Sequence, residues 1–81
     1  MSQPARILLV DDEAAIRLTL STMLKRAGYD VTSAENGFEA VERLEQQMFD
    51  LMLVDLKMPG MDGMQVVAAA RERQADLAII V

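Results

Sequence analysis

Two short aliphatic runs, Ile7 to Val10 and Phe49 to Val54, constrain this chain more than any other feature. Apart from Asp50, each is apolar on successive residues rather than on alternate ones. Each also stops abruptly on acid, the first at Asp11-Asp12 and the second at Asp55. A run that is apolar on both faces has to be covered on both sides, which is the condition of a parallel strand lying between helices.

Helical periods fill the space between these runs. Ile16, Leu20, Met23, Leu24 and Ala27 fall at i, i+4, i+7, i+8 and i+11, which predicts a helix with one apolar stripe. Gly28 follows at the place where a left-handed residue closes many helices. Tyr29 to Ala34 predicts a weaker strand, and Asn36-Gly37 signals a turn. Phe38 to Gln47 predicts a second helix with Ala40, Val41 and Leu44 inward. Lys57 to Gly63 reads as a loop, because Pro59, Gly60 and Gly63 break both periods. Met64 to Glu72 predicts a third helix with Val66, Val67 and Ala70 inward, and Leu77 to Val81 opens a fourth strand. The order β-α-β-α-β-α-β, without repeat or linker, predicts a single α/β domain, a doubly wound parallel sheet with right-handed crossovers. Its 81 residues leave room for one small and marginally stable core.

Composition narrows the chemistry such a sheet could carry. There is no cysteine and no histidine, so disulfides, thiolate metal sites and imidazole catalysis are excluded. Carboxylates, hydroxyls, amines, backbone groups and hard cations remain. Thirteen acidic against eight basic residues, a net charge of −5, give no electrostatic basis for direct nucleic-acid or anionic-membrane binding. The first six residues do not read as a signal peptide, and no apolar stretch approaches the ~20 residues that span a bilayer. A cytoplasmic location is expected.

The acids stand where chemistry is expected. Open parallel sheets bind ligands beyond the carboxyl ends of their strands. If the two strong strands are neighbours, their backbones lie ~4.8 Å apart, and Asp11, Asp12 and Asp55 share one crevice. Like charges so close repel, and a hard divalent cation is the ordinary remedy. Oxygen-only ligands point to Mg²⁺ or another hard divalent ion. Each feature alone has an ordinary explanation: Asp12 or Glu13 could cap a helix, Asp55 could open a loop, and Pro59, Gly60 and Gly63 are common turn residues. Their coincidence at one sheet edge favours a functional cluster.

These residues carry a resemblance. Ile7-Leu8-Leu9-Val10-Asp11-Asp12-Glu13 resembles the first strand and acidic pair of response-regulator receiver domains from two-component signalling. Ala34 to Ala40 is similar to that family's second strand-to-helix junction, and Asp50 to Gly63 resembles its phosphoacceptor strand and loop. The resemblance implies a flavodoxin-like fold with strand order 2-1-3-4. It implies that Asp55 is the phosphoacceptor, taking a phosphoryl group from a sensor histidine kinase. It further implies that Asp12 binds Mg²⁺ directly, that Asp11 binds it mainly through water, and that the backbone carbonyl of Lys57 adds another oxygen. Pro59 and Gly63 would shape the loop, with Met58 and Met61 as loop packing. Output would pass to an effector domain or downstream protein outside this chain, and the domain would be a switch rather than an enzyme.

The chain departs from the family pattern at its C-terminal end. The family has five strands and five helices, and residues 1–81 correspond to four strands and three helices, with the fifth strand and last two helices missing. The family's Ser or Thr after the fourth strand and its Lys after the fifth would fall beyond Val81. A fragment of this kind is expected to be impaired as a switch, and to form homo-oligomers through a bare sheet face or edge, or to fold poorly. One alternative is a receiver-like interaction or oligomerisation module that is never phosphorylated. Another is a Mg²⁺-dependent phosphohydrolase with an aspartyl nucleophile, resembling the haloacid-dehalogenase type. That enzyme class wants a second Asp two residues after the nucleophile, where this chain has Lys57.

Overall fold

The computed structural model describes residues 3–58, 60 and 62–81. The elements are β1 (Arg6–Val10), α1 (Ala14–Arg26), β2 (Asp30–Ala34), α2 (Gly37–Gln46), β3 (Leu51–Val54), α3 (Gly63–Arg73) and β4 (Ala78–Ile80). All three strand pairings are parallel and the sheet order is β2-β1-β3-β4. The two aliphatic runs are thus central neighbours, with Val10 opposite Val54.

Side-chain alternation along these strands divides the core. Leu8, Val10, Met52 and Val54 face α2 and α3, where they pack with Ala40, Leu44, Val66 and Ala70 in one buried cluster. Ile7 and Leu9 are also buried, and belong to the opposite face with their register partners Leu51 and Leu53. The inward positions expected for α2 and α3 are confirmed, with Val41 and Val67 only partly buried.

The helix ends are locally encoded. Asn36 does not form a free turn but caps α2, its side chain accepting from the Glu39 amide at 2.8 Å. Asp62 and Gln65 form a reciprocal capping box at the start of α3. Gly28 has φ of 99° after α1. Its amide donates to the Lys25 carbonyl and the Tyr29 amide to the Leu24 carbonyl, which together make a Schellman closure.

The stripe expected on α1 is only half used. Leu20 and Leu24 are partly buried, whereas Ile16, Met23 and Ala27 are exposed, and α1 has no fully buried residue. The reason is position. α1 lies over β2 and β1, and on the same side of the sheet Leu53 is half-buried and Ile80 is 55% exposed. A narrow contact with two strands cannot bury a broad helical face.

Gln74, which has no part in the sequence reasoning, is a buried polar residue in the core. Its Oε1 accepts from the Phe49 amide, and its Nε2 donates to the carbonyls of Leu44 and Gln47. It therefore ties the end of α3 to the end of α2 and the approach to β3. Among the described residues, no helix is long and apolar enough to cross a membrane.

Candidate functional site

The carboxyl edge of the sheet places the acids. The Asp11 amide continues the β1–β2 ladder by donating to the Ala34 carbonyl at 3.2 Å. The Asp55 amide continues the β1–β3 ladder by donating to the Val10 carbonyl at 3.0 Å. Both residues are thereby fixed one step beyond paired strands, side by side. One carboxylate oxygen from each of Asp11, Asp12 and Asp55 lies within 4.8 Å of the others. Asp11 and Asp55 are partly buried and Asp12 is exposed.

The two strand-end acids make the same local contact. Asp11 Oδ1 accepts from the Glu13 amide and Asp55 Oδ1 from the Lys57 amide, both at 2.9 Å. Each bond folds the chain into an Asx turn and orients its carboxylate. The capping explanation of the acid pair does not hold for Glu13. It occupies the N-cap position of α1 without a side-chain bond to the helix.

Below the acids lies a cleft of about 310 Å³, lined by Leu9, Asp11, Leu20, Leu53, Asp55 and Ile80, among others. A second cleft of equal volume opens at the other end of the strands, beside Gln3, Arg6, Phe49 and Asp50. Size therefore does not distinguish them. Only the first brings a cluster of carboxylates to the end of the sheet where α/β folds bind ligands.

The donor set fits a small hard cation. With Mg–O bonds of ~2.1 Å, adjacent ligand oxygens lie ~3 Å apart and opposite ones ~4.2 Å. A spread of up to 4.8 Å therefore suits an ion that takes some carboxylates directly and others through water.

The loop after Asp55 is held close. Met58 is buried, in keeping with a packing role, whereas Lys57 is exposed. Gly63 is the first residue of α3. A Cβ there would meet the backbone of Asp55 and Leu56 well inside contact distance, so glycine is required by proximity rather than by a special φ. The roles expected of Pro59 and Met61 lie outside the described residues.

Arg17 and Glu35 are the site residues that sequence reasoning missed. Arg17 Nη1 donates to the Asp11 carbonyl at 2.7 Å, and Nη2 stands 3.8 Å from Glu35 Oε2. The available signal was a cation in the second turn of a helix that starts beside two aspartates.

A family model described as the response regulator receiver domain matches residues 7–81. The transcriptional regulatory protein ResD of Bacillus subtilis is 47% identical over 70 residues, covering 86% of this chain and 29% of ResD. The response regulator receiver protein CpdR of Brucella abortus is 44% identical over 75 residues, covering 93% of this chain and 62% of CpdR. The crystal structure of response regulator TrrA from Thermotoga maritima, in complex with Mg²⁺-BeF, superposes with a TM-score of 0.89 at 40% identity. That match covers 95% of this chain and 67% of TrrA. TrrA in complex with the histidine kinase ThkA gives a TM-score of 0.85 at 40% identity, covering 93% of this chain and 65% of that one. The chain spans less than two thirds of the length of the curated relatives it matches. On sequence, strand order and site geometry together, it belongs to the response regulator receiver domain family.

Proposed function

We propose that this chain is a signalling switch that accepts a phosphoryl group on Asp55 from a phosphohistidine of a sensor histidine kinase, with Mg²⁺ held in the acidic crevice. The observation that carries this reading is the convergence of Asp11, Asp12 and Asp55 within 4.8 Å at the carboxyl edge of the sheet. The likeness to TrrA, solved both with Mg²⁺-BeF and with a histidine kinase, supports it.

Asp55 Oδ1 accepts from the Lys57 amide at 2.9 Å, which orients the carboxylate and favours Oδ2 as the attacking oxygen. A P–O bond forms at Oδ2 as the donor's P–N bond breaks. The electron pair returns to the imidazole nitrogen, which takes up a proton from solvent. Asp11, Asp12, Asp55 and the backbone carbonyl of Lys57 would hold the cation, Asp12 directly and Asp11 mainly through water. When bound, the cation neutralises phosphoryl oxygens so that an anionic carboxylate can approach an anionic phosphate. Lys57 stands two residues after Asp55, where a phosphohydrolase of the haloacid-dehalogenase type would need a second Asp, which favours storing the phosphoryl group over turning it over. The signal passes, in the cytoplasm, to an output domain or protein outside this sequence.

The test is incubation with acetyl phosphate and Mg²⁺, followed by reductive trapping and mass mapping. One phosphoryl increment on the intact chain and, after reduction of the acyl phosphate to the alcohol, homoserine at position 55 are expected, both absent without Mg²⁺ and in Asp55→Asn. Label mapped to another residue, or retained in Asp55→Asn, overturns the assignment.

A further inference from the structure

Arg17 sits at a three-way junction beside the crevice. Its guanidinium bonds the Asp11 carbonyl at 2.7 Å and faces Glu35 at 3.8 Å, so it links the β1–α1 corner to the β2–α2 junction. The Arg17 side chain is only 19% exposed, while that of Glu35 is 61% exposed. A cation near the start of a helix opposes the macrodipole, so this placement needs a compensating contact. The Asp11 carbonyl supplies it.

That carbonyl belongs to the peptide joining Asp11 to Asp12, and the plane of this peptide sets the direction in which Asp12 leaves the chain. The same corner is held from two other sides, by the Asp11 amide on Ala34 and by Asp11 Oδ1 on the Glu13 amide. An arginine beside three carboxylates would otherwise form a forked ion pair with one of them and fill the crevice. Glu35 draws the other arm of the guanidinium toward β2 instead.

We infer that Arg17 is a positioning residue: it locks the Asp11–Asp12 peptide so that the carboxylates meet a divalent cation already oriented, with Glu35 keeping the guanidinium off them. The inference rests on the cation-site reading above.

Its sign separates it from simple electrostatics. A nearby positive charge repels a metal ion, so loss of the Arg17 charge alone would tighten cation binding. Loss of positioning weakens it. The probe is Mn²⁺ alone, titrated by its paramagnetic resonance signal into wild type, Arg17→Ala, Arg17→Lys and Arg17→Gln, with circular dichroism as the check on folding. Arg17→Ala is expected to lose about ten-fold in Mn²⁺ affinity, as when other supporting partners of metal ligands are removed. Arg17→Lys and Arg17→Gln, which keep a donor for the carbonyl, should recover part of that loss. A folded Arg17→Ala that binds Mn²⁺ as well as wild type, or better, overturns the inference. Should that variant fail to fold, Arg17→Gln decides: affinity above wild type means that charge, not positioning, governs the site. Wild type that binds no Mn²⁺ fails the cation site itself, whereas wild type that binds and variants that match it fail only the role of Arg17.

Discussion

Gly63 and Asp55 are packed backbone to backbone: a Cβ on Gly63 would stand 2.6 Å from the Asp55 carbonyl oxygen and 2.5 Å from Cα of Leu56. The start of α3 therefore presses directly on the Asp55–Leu56 peptide, which carries the proposed acceptor. Gly63→Ala should destabilise the fold by about 1–3 kcal/mol through overpacking. It should also slow phosphorylation of Asp55 by displacing its carboxylate. Denaturant melts and acetyl-phosphate labelling rates check both, and an alanine variant with wild-type values in each would show that the loop yields freely.

The three carboxylates repel one another when no cation is bound. Asp12→Asn removes one charge from the group and should raise the melting temperature in chelator by a few degrees. On the proposed reading Mg²⁺ should stabilise wild type, and the same variant should lose that gain, because ligand-linked stability needs the ligand site. Paired thermal melts with EDTA and with Mg²⁺ read both effects, which have opposite signs.

Gln74 is a buried side chain bonded to three backbone groups. Gln74→Leu keeps much of the volume and deletes every bond, stranding the Phe49 amide and the Leu44 and Gln47 carbonyls. A loss of about 3 kcal/mol is expected, because an unsatisfied buried polar group costs more than its hydrogen bond returns. Urea unfolding is the measurement. A near-neutral result would mean that water reaches these groups.

Ile80 is 55% exposed on the sheet face that α1 leaves uncovered, next to the half-buried Leu53. Apolar surface of this kind drives association. Sedimentation should show self-association that grows with concentration, and Ile80→Lys should shift the chain toward monomer. Wild type that stays monomeric across the concentration range would remove this face as an interface.

Much of this arrangement is legible in the sequence, for a physical reason. Buried parallel strands are apolar on every residue, so Ile7–Val10 and Leu51–Val54 announce both themselves and their ends, and the ends are Asp11, Asp12 and Asp55. Asn36 is harder, since the Asx chemistry that makes a turn also caps a helix, and only the following residues separate the two. The α1 stripe misleads because periodicity shows which face is apolar and not how much of it finds a partner: Met23 lies on the stripe and is 61% exposed. Gln74 and Arg17 were invisible as contacts. The partners of Gln74 lie 25 to 30 residues away in sequence, and Arg17 reaches a backbone carbonyl, which carries no residue signature.

The bond from the Lys57 amide to Asp55 Oδ1 makes the proposed acceptor observable from outside itself. Phosphorylation of the other oxygen would turn a full carboxylate into a weaker proton acceptor and draw less on that N–H. In a nitrogen-labelled sample, the Lys57 resonance should move upfield as the acyl phosphate accumulates and return as it hydrolyses. One backbone signal would then follow the lifetime of the switch in real time.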